Sequence, residues 1–283
     1  MTASNKPHAC APDSALHLGM PVHWDAPANV VALMTQRTGG VSRPPFDSLN
    51  LGSHVGDDPG HCEANRQLLA QSLALKPCFM RQVHGLQVHV LTQPTLMDEV
   101  QADAVVCATP GLAATVMVAD CLPVLFAHKR LPVVAAAHAG WRGLAGGVLQ
   151  ATLAAMARQA NCSVPALCCE LSVWLGPCIG PSAFEVGSEV RHAFVDQPQV
   201  FAQASDCFAP HVSAVDDAPK YLANLPKLAA QLLQGLGVVQ LHGNDGTKPW
   251  CTVGNPELYF SHRRDQPVLG SSGRMAALIG LAE

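Results

Sequence analysis

The stretch Val118–Gly143, VADCLPVLFAHKRLPVVAAAHAGWRG, decides how this chain folds. It holds two apolar runs, Leu122–Ala127 and Leu131–Ala137, divided by the polar residues His128, Lys129 and Arg130. Short apolar runs bounded by turn residues have the pattern of buried strands, and so brief a divider predicts a hairpin. Cys121 stands just before the first run and His138 just after the second. A hairpin returns these two ends to one edge of a sheet and makes the thiol and the imidazole neighbours. Such a pair is either part of a metal site or a nucleophile with its base.

On either side of this hairpin the pattern is mixed. Val30–Met34, Gln87–Leu91 and Leu171–Leu175 read as strands, and Ala102–Ala108 and Ala113–Val118 are two further short apolar runs split by the turn Thr109-Pro110-Gly111. Helices are predicted over Glu63–Leu75, Arg142–Ala160, Val186–Val195 and Pro226–Leu233, Pro226 suiting a first helical turn. Tyr259–Asp265 reads as a polar loop, and the chain closes on the apolar run Met275–Leu281. Strands and helices interleave irregularly, which predicts an α+β (mixed α/β) domain rather than a doubly wound sheet. There is no GxGxxG and no GxxxxGK[ST], so neither a dinucleotide nor a P-loop nucleotide is indicated.

The 283 residues are 49% hydrophobic and 13% charged with a net charge of −4, enough to bury a core and too apolar for a disordered chain. No basic stripe suits a nucleic acid backbone. The first twenty residues lack the charged-then-apolar pattern of a signal peptide, and no run reaches the ~18 apolar residues of a membrane span. Eleven cysteines without a CxxC pair read as reduced thiols, so a cytoplasmic location is expected. Residues 1–25, aperiodic and rich in Pro and Ala, read as a loose leader, and residues 26–283 as one catalytic domain.

A catalytic zinc takes three protein ligands and leaves a position open. Cys121 and His138 need a third, and thirteen histidines are available. His84 enters a strand at a turn backed by Gly85, where backbone can approach closely. The plainer reading of His84 is a hydrogen-bonded loop histidine, of Cys121 a buried thiol, and of His138 a core or capping histidine.

The chain resembles the YfiH/YlmD family, bacterial relatives of the laccase-domain-containing protein that are also described as polyphenol oxidases and as a peptidoglycan editing factor. The matching segments begin with Thr38-Gly39-Gly40-Val41-Ser42, Ser48-Leu49-Asn50-Leu51-Gly52, Val55-Gly56-Asp57-Asp58 and Asn65-Arg66. They continue through Gln82-Val83-His84-Gly85, Ala102-Asp103-Ala104, Ala119-Asp120-Cys121-Leu122-Pro123-Val124 and Ala137-His138-Ala139-Gly140-Trp141-Arg142-Gly143. Leu175-Gly176-Pro177, Phe184-Glu185-Val186-Gly187, Lys220-Tyr221, Ser261-His262-Arg263-Arg264-Asp265 and Gly273-Arg274 complete the set. They thread residues 30 to 281, which favours one domain. Asn224, where aspartate is common, and Ser272, where threonine is usual, depart from the pattern.

The resemblance implies layered β-sheets flanked by helices, a fold shared with the cytotoxic necrotizing factor toxins. It implies a zinc (or copper) site of His84, Cys121 and His138, and a reaction on small molecules. These reactions are phosphorolysis of adenosine, inosine or methylthioadenosine, and deamination of adenosine. Deamination needs a carboxylate beside a metal-activated water, for which Asp120 and Glu185 are the candidates. Phosphorolysis needs a cationic seat, for which Arg37, Arg263 and Arg264 offer forked donors and His262 another, with backbone N–H groups from Gly140–Gly143. Multicopper oxidase chemistry is disfavoured because no His-x-His pair occurs. A single copper in the same three ligands remains compatible with the affinity order of divalent metals. Two readings of other classes stand beside these: a cysteine hydrolase with Cys121 as nucleophile and His138 as base, and a non-enzymatic accessory factor of cell-wall precursor synthesis.

Overall fold

The computed structural model describes residues 17–94, 99–212 and 218–283. In chain order its strands are β1 (Gly19–Pro21), β2 (Val30–Thr35), β3 (Lys76–Cys78), β4 (Val88–Leu91), β5 (Ala104–Cys107), β6 (Leu112–Val118), β7 (Leu122–His128) and β8 (Val134–Ala139). Then come β9 (Leu171–Leu175), β10 (Glu185–Gly187), β11 (Phe208–His211), β12 (Lys220–Ala223), β13 (Gln240–Gly243) and β14 (Met275–Leu281). The helices are α1 (Pro59–Ser72), α2 (Trp141–Gly146), α3 (Val148–Gln159), α4 (Val164–Cys169), α5 (Ser188–Val195), α6 (Leu225–Gly235) and α7 (His262–Leu269).

The hairpin forms as expected: β7 and β8 are antiparallel, with Leu122 opposite Ala139 and Pro123 opposite His138. They are the centre of a six-stranded sheet ordered β13-β9-β7-β8-β5-β4, and a five-stranded sheet runs β1-β2-β14-β6-β3. A three-stranded sheet, β10-β12-β11, completes the architecture. The strands alternate between two cores. Val105 and Cys107 of β5 join Met34, Val116, Ala277 and Ile279 in the layer between the two large sheets, whereas Ala104 and Val106 pack with Leu149, Leu153, Phe194 and Leu228 of the helices. Leu278 and Ala276 turn the other way, onto Leu69 of α1 and Leu73 just beyond its end. Sheets covered on both faces need near-continuous apolar strands, which is why β6, β7, β8 and β14 lack a polar side. The result is a single α+β domain.

Three expectations need correction. Residues 17–25 of the expected leader are not loose, since β1 pairs with β2 and Leu18, Val22 and Trp24 are buried; residues 1–16 lie outside the described residues. The helix expected over Arg142–Ala160 is broken at Gly147, whose φ of +103° is open to glycine and caps α2 before α3 begins. The polar loop Tyr259–Asp265 contains the start of α7, where Ser261 Oγ accepts the Arg264 N–H and Asp265 accepts the Ser261 N–H, a reciprocal cap of charged residues.

Candidate metal centre

The pleat and register of the six-stranded sheet bring three segments to one end. Cys121 directly precedes β7, behind Asp120 in a left-handed conformation (φ +84°). His138, 3% exposed, faces it from β8. His84 lies on the loop before β4 with φ +60°. The donor atoms of His84, Cys121 and His138 all lie within 4.8 Å of one another, and Cys121 Sγ is 3.7 Å from His84 Nε2.

Asp103, fully buried beside β5, organises this cluster. Its carboxylate accepts the backbone N–H groups of Val83, His84 and Gly85 at 3.2, 2.9 and 2.7 Å, which holds the left-handed turn at His84. Its Oδ1 also lies 2.9 Å from His138 Nδ1. With the Nδ1 proton given to the carboxylate, His138 presents Nε2 to the cluster, the carboxylate–histidine arrangement of metal ligands. Burial alone would raise the Asp103 pKa, but His138 and the loop amides outweigh it and hold the carboxyl below its ordinary range.

The thiol and imidazole shift each other in the same manner. Burial would push Cys121 up, yet His138 and His84 bring its pKa down to about 6. Burial would lower His138, but the Cys121 thiolate and Asp103 raise it to about 9. Between these values the metal-free pair is thiolate and imidazolium, so a metal entering near neutral pH displaces a proton from His138 rather than from the thiol. Metal affinity is therefore expected to rise about tenfold per pH unit between about 6 and 9, with about one proton released per ion. Titration calorimetry in buffers of different ionisation enthalpy reads that proton directly, and no proton release at pH 7.5 would contradict the pairing.

The donor set suits zinc. Bond lengths of about 2.3 Å to sulfur and about 2.05 Å to nitrogen at tetrahedral angles separate S and N by about 3.6 Å, close to the Cys121–His84 spacing. Copper is served by the same imidazole and thiolate donors. Gly140 closes the back of the cluster: a Cβ there would sit 2.9 Å from Cys121 Sγ and 3.1 Å from His84 Cδ2. Gly140→Ala is expected to keep its fold and lose at least tenfold in metal affinity by chelator competition; wild-type affinity would show that the ligands have room to move.

The cluster opens into a cavity of about 440 Å³. Of the proposed phosphate residues, His262 and Arg263 line it, and Arg37 and Arg264 do not. Arg37 stacks over Phe260 and bonds Asp47 and the Pro256 carbonyl; Arg264 bonds Asp265 and the Thr252 and Tyr259 carbonyls. Both side chains are taken up by loop structure rather than by the cavity. The carboxylates also differ from expectation. Asp120 lines the cavity, with Oδ1 accepting Thr252 Oγ1 at 2.5 Å and Oδ2 accepting the Arg263 N–H at 2.6 Å. Glu185 does not line it: its carboxylate pairs with His211, and its carbonyl accepts the Arg263 guanidinium. Glu185 thus stands off the cavity that holds the cluster, on His211 and Arg263.

Sequence reasoning missed two residues. Asp103 carries two signals, a carboxylate at the mouth of an apolar strand and its place in the matching segment Ala102-Asp103-Ala104. Arg274 lines the cavity with its stem over Gly52, and Nη1 donates to the Ser272 and Gly273 carbonyls. Burial draws its guanidinium below the ordinary pKa, against the opposing pull of Cys121 and Asp120. Trp141, Ile179, Phe184 and Leu225 supply apolar walls. Among the described residues no helix is long and apolar enough to cross a membrane.

Fold and cluster together define a layered α+β protein with a His-Cys-His centre, and residues 31–282 match the family described as multi-copper polyphenol oxidoreductase laccase; the chain belongs to that family. Within it, the chain is 46% identical over 260 residues to purine nucleoside phosphorylase YfiH of Escherichia coli K12, covering 91% of this chain and 96% of that one. It is 44% identical over 260 residues to a purine nucleoside phosphorylase of Pseudomonas aeruginosa, covering 92% and 97%. Among solved structures, a Neisseria meningitidis protein of the DUF152 family superposes with a TM-score of 0.78 at 42% identity, over 94% of this chain and all of that one. YlmD of Geobacillus stearothermophilus superposes with a TM-score of 0.77 at 26% identity, over 100% and 98%. The family and the cluster together suggest a metal site.

Proposed function

We propose that this protein is a zinc-dependent (or copper-dependent) enzyme that cleaves purine nucleosides by phosphorolysis, with adenosine, inosine and methylthioadenosine as the substrate class. One observation carries the reading: the His84–Cys121–His138 cluster and the donor side chains of His262, Arg263 and Arg274 face one cavity. The relatives named purine nucleoside phosphorylase support it. His84, Cys121 and His138 would hold the metal, which when bound would supply a Lewis acid and lower the pKa of a bound water.

The chain's own groups do the rest. Arg274 offers the phosphate fixed, charged donors. Burial and the neighbouring Arg274 hold His262 below its ordinary pKa, so near neutral pH it is an uncharged imidazole that can donate one N–H. Glu185 and Asp120 anchor Arg263 at side chain and backbone. Trp141 and Phe184 give the flat base an apolar lining. Deamination of adenosine fits less well, because both Asp120 oxygens are already engaged.

The test is release of hypoxanthine from inosine with and without phosphate, ribose 1-phosphate being the expected partner product. Equal release in both conditions would make the reaction hydrolytic and overturn the proposal. Arg274→Ala is expected to raise the KM for phosphate by about ten- to a hundredfold, the worth of one or two charge-assisted bonds, with nucleoside KM little changed. Equal effects on both constants would take the phosphate away from Arg274.

A second reading has its own support. Cys121, His138 and Asp103 also stand as nucleophile, base and orienting carboxylate, with the thiol ionised above about 6. On this reading the metal-free protein hydrolyses an amide or ester and is killed by alkylation. Activity that needs metal and survives its removal in no assay excludes it.

A further inference from the structure

A second cavity, of about 450 Å³, lies between α3, the turn after α5 and α6. Gln150, Gln199, Gln203, Gln231 and Gln234 line it, and among the described residues no Asp, Glu, Lys or Arg does. A charged ligand would find no counter-charge in this lining, which favours neutral molecules. Each carboxamide offers one acceptor oxygen and two donor hydrogens side by side. Gln231 Oε1 already takes the Cys207 S–H, which leaves its amide hydrogens to donate. Gln150 borders the cavity, and its Oε1 is buried without a partner among the described residues.

The remaining walls, Val200, Leu232 and Leu236, are aliphatic. Flat heterocycles fit between such walls, and their edges carry adjacent donors and acceptors that a glutamine side chain pairs with in a bidentate manner, as at the N6/N7 edge of adenine. From this lining we infer a second binding site, remote from the metal cluster, for an uncharged nucleobase. It has a route to that cluster. Gln197, in the turn that borders the cavity, donates from Nε2 to the carbonyl of Ala145 in α2 at 3.2 Å and to that of Ala193 at 2.6 Å. Helix α2 starts at Trp141, beside Gly140 and the triad.

The probe is adenine, titrated calorimetrically into metal-replete protein at pH 7.5 and cross-linked as 8-azidoadenine. The Gln150→Leu/Gln203→Leu double variant is expected to lose one binding equivalent or at least tenfold in affinity, with unchanged thermal midpoint and unchanged turnover without added base. The photolabel is expected on peptides spanning residues 199–203 or 231–236. Unchanged binding in the double variant overturns the inference, as does label confined to peptides around His84 and Cys121. Displacement of adenine from this cavity by trehalose overturns it too, because the site would then be one for saccharide hydroxyls. Failure of phosphorolysis leaves the glutamine-dependent equivalent in place, so the two ideas fail separately.

Discussion

Cys121→Ala is expected to purify as a folded protein carrying less than a tenth of the metal of the wild type, counted per chain by inductively coupled plasma mass spectrometry. The wild type is expected to hold about one ion, zinc on the present reading. The thiolate is the ligand that cannot be replaced from nearby. Its pKa of about 6 makes it an anion at neutral pH, and the other two donors are imidazoles. Exchanging it for a methyl group removes one of three bonds and the charge that favours a dication, which together amount to at least a hundredfold in affinity. The fold should survive, because Cys121 is only half-buried and stands outside β7 proper. His138→Ala is expected to lose the metal equally. Full occupancy in both variants would remove the metal hypothesis and leave the cysteine hydrolase.

Asp103→Asn is expected to weaken metal binding by about ten- to a hundredfold and to cost about 3–5 kcal/mol of stability, an unusually large penalty for a change of one atom. The carboxylate takes four hydrogen bonds, from Val83, His84, Gly85 and His138. An amide turns one oxygen into a donor, which must then face an N–H. The left-handed turn at His84 and the orientation of His138 both lose their support. The pH dependence follows from the depressed carboxyl pKa. A group held below its unfolded value stabilises above that value and loses the effect as pH falls through its folded value. Wild-type stability should therefore drop on acidification through this range, and Asp103→Asn should flatten that limb. Urea unfolding between pH 3 and 7 gives both quantities. Stability and metal affinity within threefold of wild type would show that Asp103 is a spectator.

Gly140, Arg274 and Asp103 became meaningful only once distant segments were packed together. Arg37, Arg263 and Arg264 look alike in sequence, each in a polar loop, and all three bond backbone carbonyls, yet only Arg263 of the three also lines the cavity. Nothing local separates them, since the partners of a guanidinium lie wherever the chain returns; Pro256, bound by Arg37, is 219 residues away. Asp120 and Glu185 were sorted in the same manner.

By itself the sequence determined the β7–β8 hairpin, the α+β class and the meeting of Cys121 with His138. Apolar runs and turn residues fix which segments are buried and how neighbours in the chain pair, and a two-residue period then sets which side chains share an edge. The resemblance singled out His84 among the thirteen histidines, and the structure brings it to the other two. Tertiary structure alone decided that Asp103 aligns the cluster, that Gly147 divides a helix and that Arg274 rather than Arg37 faces the cavity. Hydrogen bonds and buried charges are satisfied across long sequence separations, and their geometry exists only when the layers have closed.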